Sequence, residues 1–359
     1  MTREPVVVAE DLRRSYGDTV GLDGVSLTVE AGEVFGLVGP NGAGKTTLVR
    51  ALTGTTSVEG RVRVFGDPPA EGDRSRVGLL PQEFAPAGRL TVRELLAYYA
   101  GLYDEARPVD AVLDDVGLAD TADTWYEELS GGQRRRACVG AALVNDPDLL
   151  FLDEPTTGID PAGRRAVWGL VESLSADGTA VVLTSHSMTE IERLSDRVGL
   201  LRDGGLVAVG PPGGLVADHA GPARLVVEPA DGTEPSATGG DGGQGDDGTT
   251  ALADALREAG FTVTVGDGEV AVEAVAPTEI GAAVDGLDDA GVDYDALTWT
   301  EPGLEDAYLR LTGEAFEGLR QPGASVVDDP TDADPGGHGG TGGGNTGEGG
   351  GDETTEVEA

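Results

Sequence analysis

The strongest constraint on the fold of this chain is a stretch of nine residues. Residues 39–47 read GPNGAGKTT, and Gly39 to Thr46 match G-x-x-x-x-G-K-[ST]. An apolar run, EVFGLVG (33–39), precedes the stretch and reads as a buried strand. A helical pattern begins near Gly44. A strand end, a glycine loop and a helix start must therefore meet at one point. Glycines let the backbone wrap an anion with no Cβ in the way. Loop N–H groups and the helix N-terminus then face its negative charge. In this motif Lys45 reaches the β- and γ-phosphates of a nucleotide, and the Thr46 hydroxyl ligates Mg²⁺. The expected nucleotide-binding residues are Gly39, Pro40, Asn41, Gly42, Ala43, Gly44, Lys45, Thr46 and Thr47.

Lys45 is the only lysine among 24 basic residues. A compact ammonium on a flexible stem meets phosphate oxygens as a point charge, whereas arginine presents a wider planar fork. Replacement at this position is not conservative, so a general preference for arginine would stop there. Asp and Glu number 65, giving a formal charge of -41. Such a charge repels nucleic-acid phosphates and anionic lipid surfaces, so no nucleic-acid partner is expected. Arginine preferred over lysine, many acids and few aromatics point to a salt-rich cytoplasm, as in a halophile. Cys138 is the one cysteine, so no internal disulfide can form. It lies in ACVGAALV and reads as a small buried hydrophobe in a reducing compartment. The start, MTREPVVVAEDLRR, lacks the order of a secretory signal. No uninterrupted apolar run reaches the roughly 18 residues of a membrane span, so any membrane role must come through a partner.

Strands alternate with helices over 1–221, which predicts an α/β domain with a mainly parallel sheet. DLLFLDE (148–154) and GTAVVLTSH (178–186) read as strands, each followed by a helix. VVVAED and VSLTVEAGE read as an antiparallel edge. Between about 84 and 147 helices dominate, as an inserted helical subdomain. Residues 222–313 run β-α-β-β-α-β, the order of a small α+β ferredoxin-like domain. An acidic, glycine-rich stretch at 231–249 reads as a disordered loop, and 314–359 as a disordered acidic tail.

Two more segments carry chemistry. LLFLDEP (149–155) is a buried strand ending in two acids. Its tip enters the crevice where α/β sheets bind nucleotides. Asp153 would hold Mg²⁺, and Glu154 would polarise the attacking water. LSGGQ comprises Leu129, Ser130, Gly131, Gly132 and Gln133, and it opens a helix that Ser130 can cap. The following Arg134–Arg136 reads as a solvated helix face.

A phosphate-binding loop, LSGGQ and a strand ending in Asp-Glu, in this chain, resemble the ATP-binding cassette (ABC) ATPases, whose signature motif is LSGGQ. The resemblance extends over residues 5–215. Gln82 in VGLLPQEF resembles the Q-loop glutamine, which also bears on the metal. PTTGID resembles the D-loop, ending at Asp160, with Ile159 where leucine is more usual. His186 resembles the switch histidine, and Tyr16 the aromatic residue that stacks on adenine. The resemblance implies a P-loop NTPase cassette that binds ATP and Mg²⁺ and hydrolyses ATP. Lys45, Gln82, Glu154 and His186 are then the catalytic set, with Thr46, Gln82 and Asp153 at the metal. Two cassettes pair head to tail in this family, so the signature acts in trans. The chain needs a second copy of itself or a homologous ATPase subunit, and an integral-membrane permease. It would sit on the cytoplasmic face of the membrane, peripheral through that permease. LTVRELLAYYAGLY, LSDRVGLLRDGGLVAVGPP and EPGLEDAYLRLTG look like the drug-exporter branch.

Three alternatives stay beside export. An importer ATPase shares the same chemistry. DNA-maintenance ATPases of this family place a long coiled coil between loop and signature. Only about 85 residues separate Lys45 from Ser130 here, without sustained heptads. Translation-associated members usually carry two cassettes and basic linkers.

Overall fold

A computed structural model describes residues 4–230, 247–266 and 268–313. All lie in one compact unit, residues 1–319. The chain opens with the long hairpin β1 (Pro5–Tyr16) and β2 (Thr19–Glu30). Next come β3 (Val34–Val38), α1 (Lys45–Leu52), β4 (Glu59–Val64) and β5 (Val77–Leu80). The helical layer is α2 (Val92–Ala100), α3 (Val109–Asp115) and α4 (Gly131–Ala141). Strand and helix then alternate through β6 (Leu149–Asp153), α5 (Pro161–Ala176), β7 (Ala180–Ser185) and α6 (Met188–Leu194). The hairpin β8 (Arg197–Arg202) and β9 (Gly205–Gly210) follows, then α7 (Pro212–His219). Last come β10 (Arg224–Pro229), α8 (Asp247–Glu258), β11 (Val263–Gly266), β12 (Glu269–Glu273), α9 (Ile280–Ala290), β13 (Tyr294–Thr300) and α10 (Leu304–Thr312).

The central sheet has the order β5-β6-β7-β3-β8-β9, parallel except for the terminal β8–β9 pair. Every residue of β3, β6 and β7 is buried, as a sheet covered on both faces requires. Alternation divides their side chains between two cores. Leu150 and Leu152 join the helical layer, while Leu149 and Phe151 face the side of α1. The C-terminal tips of β5, β6, β7 and β3 lie side by side. Gln82, the Asp153–Glu154 pair, His186 and the glycine loop therefore leave the sheet along one edge, where open α/β sheets bind ligands.

The N-terminal hairpin departs from its expected place. β1, β2 and β4 form their own antiparallel sheet, in the order β2-β1-β4, instead of an edge of the central one. β3 already has β7 and β8 as neighbours, so no hydrogen-bonding edge remains beside it. The hairpin instead stacks Val7, Leu12, Val25 and Val29 against Phe35, Leu37 and Leu48.

The segment after α7 forms a four-stranded antiparallel sheet, β11-β12-β10-β13. Leu225, Val227, Val270 and Val272 pack on Leu252, Leu256, Ala283 and Leu287 of α8 and α9. α8 begins at Asp247, inside the stretch expected to be a loop to residue 249. Thr249 is buried because it shares a helical face with Leu252, Ala253 and Leu256. Residues 231–246 and the expected tail 314–359 lie outside the described residues. α10 returns to the core of the central sheet, burying Leu304 and Tyr308 there.

Candidate nucleotide site

The loop between β3 and α1 uses glycine where the backbone leaves no choice. Gly44 has φ +104°, and a Cβ there would sit 2.4 Å from the Gly21 carbonyl oxygen. At Gly39 a Cβ would meet the Leu201 carbonyl oxygen at 2.4 Å. Lys45 opens α1, only 7% exposed, and its ammonium donates to the carbonyl oxygens of Gly39 (2.6 Å) and Pro40 (3.1 Å). The loop thus holds its own cation centrally. Burial pushes the Lys45 pKa down, against the pull of Glu154 and Asp153. Pro40, Asn41 and Gly42 are the more exposed part of the loop, Ala43 is buried, and Thr46 and Thr47 are half-buried.

The Thr46 hydroxyl donates to Asp153 Oδ2 at 3.3 Å. Asp153 Oδ1 accepts from the Thr184 hydroxyl, whose residue faces it in the β6–β7 register. A hydroxyl and a carboxylate are hard oxygen donors, too few for an all-protein cage. Among the described residues no cluster of three His, Cys, Asp or Glu could hold a metal alone. Mg²⁺ suits such a set, because it takes one or two carboxylates and fills its shell with water and phosphate oxygens.

Glu154 is 8% exposed and gathers several groups on one oxygen. Its Oε2 accepts from Gln82 Nε2 at 3.0 Å and from the Thr157 hydroxyl at 3.2 Å. His186 Nδ1 lies 3.6 Å from the same oxygen. A half-exposed imidazole, an amide and a buried carboxylate in this arrangement can orient a water and receive its proton. Glu154 has φ +50°, a left-handed conformation rare outside glycine. Its N–H is held by the Thr184 carbonyl and hydroxyl.

Tyr16 closes β1 with its ring 44% exposed. Its hydroxyl lies 3.4 Å from Thr56 Oγ1, and the Arg14 guanidinium sits 4.8 Å from the ring centre. That leaves a supported aromatic surface beside the loop. Ser130 and Gln133 cap α4 reciprocally, Gln133 N–H to Ser130 Oγ at 3.2 Å and Ser130 N–H to Gln133 Oε1 at 2.9 Å. Leu129 is buried in the core and anchors the motif, while Ser130 and Gly131 are exposed. Asp160 caps α5 through the Gly163 N–H at 2.6 Å. A Cβ on Gly132 would lie 3.9 Å from both of its carboxylate oxygens, so signature and D-loop are neighbours in one chain.

The arginine run is not a solvated face. Arg135 donates to the carbonyls of Asp153, Glu154 and Pro155, and Arg136 to those of Val116 and Gly117. Arg134 turns back to the Tyr126 and Glu127 carbonyls. Helix spacing sends the three side chains to three different neighbours. Sequence reasoning also passed over Thr184, Thr157 and Glu190. Glu190 is fully buried and accepts from Thr156 Oγ1 (3.0 Å) and Trp168 Nε1 (2.6 Å). For Thr184 the signal lay in strand register, since it pairs with Asp153.

Comparison with known proteins places the chain in a family. Residues 22–157 match the family model for ABC transporters. The chain is 36% identical over 315 residues to the Nod factor export ATP-binding protein I of Bradyrhizobium diazoefficiens, covering 85% of this chain and 96% of that one. It is 38% identical over 313 residues to the protein of the same name from Rhizobium meliloti, covering 85% and 87%. A nucleotide-free ATP-binding cassette of an ABC transporter superposes with TM-score 0.52 at 25% identity, over 58% of this chain and 92% of that one. A part of an ABC transporter complex from Clostridium perfringens gives 0.53 at 25%, over 60% and 92%. The chain belongs to the ABC transporter family, as an ATP-binding subunit that hydrolyses ATP.

Proposed function

We propose that this subunit drives export through a separate membrane permease, working as a pair of cassettes that sandwich two ATP molecules. The observation that carries the reading is the convergence of Gln82, Thr157 and His186 on one oxygen of Glu154. Glu154 activates the attacking water, and His186 and Gln82 orient that water and the γ-phosphate. Lys45 and the loop N–H groups bind the phosphates, and Tyr16 stacks on the adenine. Thr46, Asp153 and Gln82 would hold Mg²⁺, which would supply positive charge beside the phosphates. Ser130, Gly132 and Gln133 close on the nucleotide of the other cassette, with Asp160 beside them.

Export is supported by the relatives, which are named as export ATP-binding proteins. No helix among the described residues is long and apolar enough to cross a membrane. A groove of about 320 Å³ lies two residues beyond Gln82, lined by Phe65, Leu79, Phe84, Tyr99, Leu102 and Tyr103. Leu102 is 63% exposed there. This groove suits an apolar segment of the permease, and holds the subunit on the cytoplasmic face of the membrane. A charge at Leu102 (Leu102→Asp) should release the chain from membranes without lowering ATP affinity.

Mixing Lys45→Ala chains with Ser130→Arg chains tests the paired arrangement. A mixed pair keeps one complete site, so the mixture should regain ATPase activity that neither variant has alone. A mixture no more active than its components would contradict it.

A further inference from the structure

Arg135 lies on α4, two residues beyond the signature glutamine Gln133. Its guanidinium spans the turn that leaves β6. Nη2 donates to the carbonyl oxygens of Asp153 (2.8 Å) and Glu154 (2.7 Å), and Nε to that of Pro155 (3.0 Å). A rigid fork with five N–H donors can fix three successive peptides at once. The turn requires such a hold. Glu154 sits at φ +50°, and a strained residue of this kind persists only where its surroundings over-determine it. Thr184 holds the Glu154 N–H from the β7 side, and Arg135 holds its carbonyl from the helical side. Burial lowers the Arg135 pKa, and nearby Asp153 and Glu154 act in the opposite sense.

We propose that Arg135 is the positioning residue of the hydrolytic site: it fixes the Glu154 turn so that the carboxylate points at the attacking water. Arg135 acts through Glu154, from the helix that carries the signature, so the proposal rests on reading Glu154 as the group that activates water. Its neighbour Arg136 makes similar bonds to the Val116 and Gly117 carbonyls at the end of α3, away from this turn. Arg136 therefore serves as a control for the mere loss of a half-buried guanidinium.

The test uses the full chain with Arg135→Gln, Arg135→Lys, Arg136→Gln and Glu154→Gln. Steady-state ATPase rates and the affinity for a fluorescent ATP analogue are measured. Misplacing a reactive group by about 1 Å costs up to roughly 100-fold. Arg135→Gln should therefore lower kcat about 10- to 100-fold, with KM and analogue affinity within about twofold of wild type. Arg135→Lys, whose ammonium reaches fewer carbonyls, should recover part of the loss, and Arg136→Gln should keep a normal kcat. If Arg135→Gln does not fold, Arg135→Lys decides: a reduced kcat at unchanged KM supports the proposal, and a normal kcat overturns it. A kcat for Arg135→Gln within twofold of wild type, or a loss that only tracks ATP affinity, also overturns it. If Glu154→Gln is inactive while Arg135→Gln is normal, the positioning role alone fails. If Glu154→Gln hydrolyses ATP at the wild-type rate, the underlying reading fails.

Discussion

Gln82 donates its amide to Glu154 Oε2 at 3.0 Å, joining the loop after β5 to the tip of β6. This bond links the loop that carries Phe84 of the apolar groove to the carboxylate proposed to activate water. Gln82→Ala should lower kcat by about 10- to 100-fold, since the bond orients Glu154, with a smaller rise in KM from losing one of the groups proposed to hold Mg²⁺. Gln82→Glu should lose more. A second carboxylate beside Glu154 replaces a hydrogen-bond donor with a like charge, which repels the Glu154 carboxylate from its position. Steady-state kinetics of both variants check this.

Lys45 gives a pH prediction. Burial lowers its pKa, so the ammonium loses its proton at a lower pH than an ordinary lysine. The neutral amine does not attract phosphate. ATP affinity should be full below the lowered pKa and fall as pH rises through it. Bound phosphate favours the charged form, so binding in that window takes up a proton. Titration of a fluorescent ATP analogue from pH 7 to about 10 reads the fall; a flat profile would contradict it. Lys45→Arg should cripple hydrolysis at every pH, because the wider guanidinium does not match a pocket closed by the Gly39 and Pro40 carbonyls.

Tyr308 carries the docking of α10. Its ring is 1% exposed, and its hydroxyl donates to the Leu201 carbonyl at 3.2 Å, the oxygen that crowds Gly39. Tyr308→Phe should cost about 1 kcal/mol, the net worth of one hydrogen bond. Tyr308→Ala should cost about 3–5 kcal/mol through loss of a buried aromatic ring. Denaturant unfolding distinguishes the two.

A formal charge of -41 repels itself, and concentrated counterions screen that repulsion. The thermal midpoint should rise through a KCl series. Equal stability in low salt would remove the halophilic reading.

Much of this arrangement was legible in the sequence because its signals are local. Gly39–Thr46 sits between a fully buried strand and a helix start, and that context is contiguous in the chain. LLFLDEP ends its apolar run at Leu152, one residue before β6 ends at Asp153. Ser130 caps α4 with the glutamine three residues on. What escaped depends on pairing between distant segments. Nothing near the hairpin β1–β2 says that β3 takes β7 and β8 as neighbours, so its separate sheet stayed hidden. Arg135 looked like one charge in a row of three, and only the approach of α4 to the β6 tip gives it three carbonyls to hold. α8 reaches back to Asp247 in an acidic stretch, and the apolar face it continues packs on strands from both sides of it in sequence.

The central claim is that Glu154 activates the water that cleaves ATP. The direct measurement is the hydrolysis rate of Glu154→Gln, beside its oligomeric state with and without ATP. An amide of the same shape cannot take the proton, so turnover should fall by about 100-fold or more while ATP still drives two copies together. Wild-type turnover in Glu154→Gln would contradict the account.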